Sequence, residues 1–173
     1  MKIILLLRHA KSTWSQPGLA DHERTLNKRG ERAAEAMAEH IVHNVPRPDL
    51  ILCSTAVRTR QTLAPLVHRL APPAPPIALE KGLYLASEPE LLVRLRAVSE
   101  EVRTVLLIGH NEGIGELANA LAGDGDPALL ELLQEKYPTG TLATLQLDEA
   151  PWLDLAPGAA ELVAFVRPRD LSE

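Results

Sequence analysis

Three short runs of unbroken apolar residues punctuate the chain, at positions 3–7, 50–53 and 105–108. Runs of this length read as strands buried on both faces, as in the central sheet of an α/β domain. A helix-length segment follows each run. Residues 26–43 are rich in Ala, Glu and Arg, with Ala33, Met37 and Ile41 on one face. Residues 55–70 follow the second run. Residues 114–122 follow the third, where Gly123 offers a stop. Strand–helix alternation predicts parallel pairing, with helices on both faces of the sheet.

The remaining segments read differently. Residues 71–76 hold four prolines and predict an extended connector. Pro89 fits the first turn of a short helix running to about Val98. Residues 141–147 and 161–166 alternate or carry β-formers. Pro151 and Pro157-Gly158 separate them, so they predict antiparallel strands at the edge of the sheet. The expected architecture is a three-layer α/β sandwich, one domain over residues 1–173, with a mostly parallel central sheet.

Composition narrows the picture. Hydrophobic residues make up 46% of the chain and aromatics 3%, so the core is sizeable and aliphatic. The net charge of −5 lacks the basic excess of a nucleic-acid binder. The single cysteine, Cys53, excludes a disulfide within the chain and points to a reducing compartment. Its place in the second apolar run predicts a buried strand residue rather than a reactive thiol. The first apolar run meets Arg8 and His9 at once and is too short for a signal core or a membrane span. A cytoplasmic protein with no nucleic-acid or membrane partner is expected.

In open α/β sheets, sites form just past the carboxyl ends of the strands. The first run ends in Arg8-His9-Ala10-Lys11-Ser12, the second in Ser54-Thr55-Ala56-Val57-Arg58, and the third in Gly109-His110-Asn111. Three strands thus bring two imidazoles and two guanidiniums to one edge of the sheet. Guanidinium offers a planar fork to phosphate oxygens. Imidazole serves as a nucleophile or a proton shuttle.

These motifs, in this order, resemble the histidine phosphatase superfamily, which includes cofactor-dependent phosphoglycerate mutases and acid phosphatases. The nearer resemblance is to the small SixA-type phosphohistidine phosphatases. It rests on Arg8 to Ser12, on Asp21-x-x-Arg24 before Leu26 and Gly30, on Leu83-Tyr84 and on Gly109-His110-Asn111, and it runs from Met1 to about Leu121. The resemblance implies a phosphoglycerate-mutase-like fold and a phosphoryl acceptor at His9. It implies that Arg8, Arg58 and His110 bind phosphoryl oxygens and that Asp21 and Arg24 lie at the pocket rim. One departure stands out: much of the superfamily has Gly after the Arg-His pair, and this chain has Ala10.

Several assignments have a competing structural explanation. Arg60 rivals Arg58 as the helix-borne cation, with the family spacing from Ser54 favouring Arg58. Asp21 and Arg24 either line the site or pair with each other on a solvated loop. Lys11, Ser12 and Asn111 are candidate substrate contacts, with Lys11 and Ser12 alternatively shaping the loop. The proton donor is open between Asp21 and Glu112, with Glu80 a further possibility. Trp14 either lines the pocket mouth or packs internally, and Trp152 is equally open. His22, His40, His43 and His68 read as surface residues whose spacing lacks supporting acidic ligands for a metal, and neither a metal nor a cofactor is expected.

The leading functional expectation is a phosphatase that acts through a phosphohistidine on His9, with phosphohistidine on a protein as substrate. A short connector and helix between Arg58 and His110 leave no room for an enclosing lid, which also argues against a mutase. A small-molecule phosphoester phosphatase is the alternative, and a non-catalytic phosphate-binding module is the alternative of another class. The sequence leaves the oligomeric state open.

Overall fold

The computed structural model describes residues 1–14, 16–70 and 72–171. Ala71, the first residue of the expected connector, lies outside them. The strands are β1 (Lys2–Arg8), β2 (Leu50–Ser54), β3 (Ile77–Glu80), β4 (Thr104–Gly109), β5 (Ala122–Gly125), β6 (Leu142–Leu147) and β7 (Ala160–Val166). They form one sheet in the order β3-β2-β4-β1-β6-β7-β5. The helices are α1 (Lys28–Asn44), α2 (Val57–Leu70), α3 (Glu88–Arg96), α4 (Gly113–Leu121), α5 (Pro127–Glu135) and α6 (Pro168–Leu171).

Alternation along the buried strands divides the core into two layers. Ile4 and Leu6 of β1 face the side covered by α3 and α4, with Val105 and Leu107 of β4 beside them. Leu5 and Leu7 face the other side, with Leu106 and Ile108, against Met37, Ala38 and Ile41 of α1 and Leu63 and Leu66 of α2. Each strand therefore loses apolar surface on both faces, which is why its sequence reads as an unbroken run. The result is the expected three-layer α/β sandwich.

β1, β2, β3 and β4 are mutually parallel, and β6 runs antiparallel to β1 and β7. The two C-terminal strands pair antiparallel with each other, as expected, but β6 lies inside the sheet, between β1 and β7. The edge beyond β7 belongs to β5, which pairs with it in parallel. Gly123 sits in that strand rather than ending a helix. A Cβ there would stand 2.1 Å from the Gly158 carbonyl oxygen, so only glycine permits the close backbone approach. Among the described residues, no helix is long and apolar enough to cross a membrane.

Candidate active site

The register of two neighbouring strands places the central pair. β1 and β4 run parallel with Arg8 opposite Gly109, and the His9 N–H donates to the Gly109 carbonyl at 3.0 Å. The next residue on each strand is a histidine, so the His9 and His110 rings lie side by side, 5.4 Å between centroids. The chain then leaves β1 over the α1 face and β4 over the α4 face, opening a crevice between the two strand ends.

The loop after His9 is pinned from three directions. The Ala10 N–H donates to Thr62 Oγ1 of α2 at 3.0 Å. The Ala10 methyl is fully buried beside Leu26 and Ala34, so the departure from glycine fills a small apolar niche. The Asn27 N–H donates to the Lys11 carbonyl at 3.0 Å, and Asn27 Oδ1 caps α1 by accepting from the Gly30 N–H at 2.8 Å. A Cβ on Gly30 would stand 1.9 Å from the Lys11 carbonyl oxygen. Glycine here lets α1 press directly against the loop.

This scaffold fixes the chemistry of His9. Its Nδ1 lies 2.7 Å from the Ala10 carbonyl oxygen. A carbonyl only accepts, so Nδ1 carries the proton and the Nε2 lone pair is left free. Burial is the main cause that pushes the His9 pKa down, to about 4. Arg58, Arg8 and Arg24 push the same way, while the bond to Ala10 opposes them. The ring is neutral near neutral pH, as attack by nitrogen requires. His110 is pushed to about 3, by burial first and then by His9 and Arg58. Its Nε2 lies 2.8 Å from Ser54 Oγ, while its Nδ1 is buried with no partner among the described residues.

Two arginines complete the constellation. Arg8 donates from one terminal nitrogen to the Tyr137 carbonyl at 2.8 Å, and the Tyr137 hydroxyl in turn donates to the Leu6 carbonyl at 2.6 Å. Arg58, buried in the first turn of α2, donates to the Asp21 carbonyl at 2.7 Å and to Asp21 Oδ2 at 3.0 Å. The Nε atoms of both arginines are buried and have no hydrogen-bond partner among the described residues. Both arginines line the cleft together with His110, and two guanidiniums at one cleft suit an anionic ligand rich in oxygen.

The cleft has a volume of about 420 Å³ and brings together Arg8, His9, Lys11, Ser12, Asp21, Arg24, Arg58, His110 and Asn111. Trp14, Leu85 and Thr139 also line it. Asp21 accepts from the Tyr84 hydroxyl, from Arg24 at 2.9 Å and from Arg58. The Tyr84 bond, followed by the two arginines, holds its carboxyl well below the usual carboxylate range. Arg24 also donates to Ser12 Oγ at 2.7 Å and to the Thr13 carbonyl at 2.9 Å, tying the two rim loops together. Asn111 Oδ1 accepts from the Gly115 N–H, securing the start of α4.

Other candidates lie elsewhere. Glu112 is exposed and lines a separate depression with Glu116, Asn119 and Lys136. Glu80 is locked in a two-pronged pair with Arg94, at 2.6 and 2.9 Å. Arg60 is exposed, donates to the Thr55 carbonyl and does not line the cleft. Trp14 stands at the cleft mouth, 87% exposed, whereas Trp152 is buried in the core and donates to the Val102 carbonyl. His22, read from sequence as a surface residue, sits half-buried between Thr55 and Tyr84. The sequence reading gave no site role to Tyr84, Tyr137 or Thr139. Tyr84 belongs to the Leu83-Tyr84 motif, and its ring stands edge-on to His110 with 5.4 Å between centroids. Tyr137 and Thr139 lie in a loop with no local signal. Among the described residues, no group of three or more His, Cys, Asp or Glu side chains is placed to hold a metal ion.

Comparison with known proteins agrees with this arrangement. Residues 4–84 match the model of the histidine phosphatase superfamily (branch 1). An uncharacterized protein of Mycobacterium tuberculosis, Rv1276c, is 39% identical over 165 residues, covering 94% of this chain and 100% of the relative. Two solved structures, each described as a "putative phosphohistidine phosphatase SixA", superpose closely. That from Nakamurella multipartitia has a TM-score of 0.83 and 31% identity, covering 96% of both chains. That from Agrobacterium tumefaciens has a TM-score of 0.81 and 33% identity, covering 96% of this chain and 98% of the other. With likeness of this extent over a cleft built on His9 and His110, the chain belongs to the histidine phosphatase superfamily, is of the SixA type, and is a phosphatase.

Proposed function

We propose that the enzyme hydrolyses phosphohistidine on a protein, passing the phosphoryl group through His9. In the first step His9 Nε2 attacks phosphorus and the bond from phosphorus to the substrate nitrogen breaks, the substrate ring, protonated on its other nitrogen, departing as neutral imidazole. In the second, water attacks phosphorus and gives up a proton to solvent, the bond to His9 Nε2 breaks with Nδ1 still protonated, and inorganic phosphate leaves. Arg8, Arg58 and His110 meet the charge on the equatorial oxygens during both transfers, the electrostatic contribution that dominates phosphoryl transfer. Lys11, Ser12, Arg24 and Asn111 are the further contacts available to the substrate.

The state of Asp21 carries the choice of substrate. Among the described residues it is the only carboxylate lining the cleft. It is held ionised by Tyr84, Arg24 and Arg58. A carboxylate so held is a poor proton donor near neutral pH. An alkyl ester leaves as an alkoxide and needs a strong general acid, whereas phosphohistidine leaves as imidazole, whose conjugate acid has a pKa of about 6.5. The open mouth, with Trp14 exposed beside it, suits a side chain presented by a protein. A cytoplasmic location goes with this reading, since the single cysteine, Cys53, has no second cysteine in the chain to pair with. The test is kcat/KM on a phosphohistidine peptide against an alkyl phosphate. Phosphohistidine is expected to be favoured by about 10²-fold or more, and preference for the alkyl ester would reject the reading.

A further inference from the structure

A second depression, of about 530 Å³, adjoins the catalytic cleft and shares Lys11 and Thr139 with it. The shared seam is close to the nucleophile, because the next residue, Gly140, donates its N–H to the His9 carbonyl. One side of α1 forms the wall, with Arg29 and Arg32 about 4.5 Å apart along the axis. Lys11, Arg29 and Arg32 are exposed, and none of their side chains makes an ion pair or hydrogen bond with a described residue. Arg169 also lines the depression, and among the described residues no carboxylate does. The neighbouring Asp170 is engaged by Arg167, and Glu31 and Glu35 line an adjoining depression on α1 that shares Arg32 but neither Lys11 nor Arg29.

Such a cluster runs against the composition, since the chain as a whole carries −5. Charges more than about 8 Å away are largely screened at physiological salt, so the cluster governs what approaches this edge of the site. An anion confined to the catalytic cleft would not reach α1, whereas a polypeptide lying across the seam would reach both. We infer that this depression is a docking subsite for an acidic segment of the phosphorylated protein. Carboxylates flanking the phosphohistidine would sit against Lys11, Arg29 and Arg32. The inference rests on the phosphohistidine reading above and adds the character of the protein that carries it.

The test uses two peptides bearing the same non-hydrolysable phosphohistidine analogue, one flanked by Asp and Glu and the other by Ser and Ala. Binding to the wild type and to R29E/R32E is followed by fluorescence anisotropy. Glutamate is favourable near a helix N-terminus, so the double variant should fold. Aryl phosphate turnover within about twofold of wild type checks that the fold and the catalytic cleft are intact. The wild type is expected to bind the acidic peptide about tenfold more tightly, a margin that shrinks with added salt. In R29E/R32E the margin should vanish or reverse. The same acidic-to-neutral ratio of Kd values in both proteins would overturn the proposal. Turnover of the matching phosphohistidine peptides by the wild type tests the substrate reading separately. An acidic preference without turnover would leave the subsite standing and reject the substrate reading. Turnover without any preference would do the opposite.

Discussion

The most consequential contact in the molecule is the 2.7 Å approach of His9 Nδ1 to the Ala10 carbonyl. It sets the tautomer of the proposed nucleophile from the backbone, with no second side chain needed. His9→Ala should abolish turnover and leave the fold intact, because His9 lies at a strand end above the sheet core. Activity within about tenfold of wild type would reject the nucleophile assignment. Carboxylate roles separate by leaving group. If Asp21 orients Arg58 and Arg24 rather than donating a proton, Asp21→Asn should slow an alkyl phosphate and a phosphohistidine peptide by similar factors. A loss confined to the alkyl ester, by about 10²-fold or more, would make it a general acid. Glu112→Gln, outside the cleft, should change neither rate beyond about twofold. At this scale the grouping of Arg8, His9, Arg58 and His110 at one cleft was legible in the sequence, because strand ends and motif spacing mark them. The pinning of Asp21 by Tyr84 depends on a contact across 63 positions, which no local pattern encodes.

Among the elements, the junction of β1, its following loop and α1 holds the site together. Gly30→Ala would drive a methyl group into the Lys11 carbonyl, 1.9 Å from the ideal Cβ. Overpacking against backbone should cost about 1–3 kcal/mol and lower Tm by several degrees. Because the same loop carries His9 and Lys11, kcat/KM should fall more than stability alone explains. A variant with wild-type Tm and wild-type kcat/KM would show that α1 can yield and that the loop is not set by this contact. The elements that sequence made visible are those buried on both faces, such as β1 and β4, or strongly amphipathic, such as α1. β5 escaped notice because Ala122-Gly123-Asp124-Gly125 carries no β-formers and pairs only through close backbone approach to β7. β6 was expected at an edge. Its alternation hid a strand whose second face is also covered, and it lies between β1 and β7.

The whole molecule pays for its two neutral histidines in acid. His9 and His110 titrate at about 4 and about 3 in the native state, against about 6.5 when unfolded. Below pH ~6.5 the unfolded chain therefore binds protons that the native chain refuses. Stability contributed by these groups is complete above that pH and is lost as pH falls toward about 4. At pH ~5 the cost is about 2 kcal/mol for each ring, so Tm should drop between pH ~7 and ~5. His9→Gln should flatten that decline. An unchanged Tm over this range in the wild type would contradict the burial of neutral imidazoles.

The central claim is that the phosphoryl group passes through His9 Nε2. It is tested most directly by rapid quenching into alkali with a ³²P-labelled substrate, followed by peptide mapping. The account predicts an alkali-stable, acid-labile phosphoryl group on the peptide containing His9, absent from His9→Ala. Full turnover with no label trapped on His9, under conditions where the second step is slow, would contradict it.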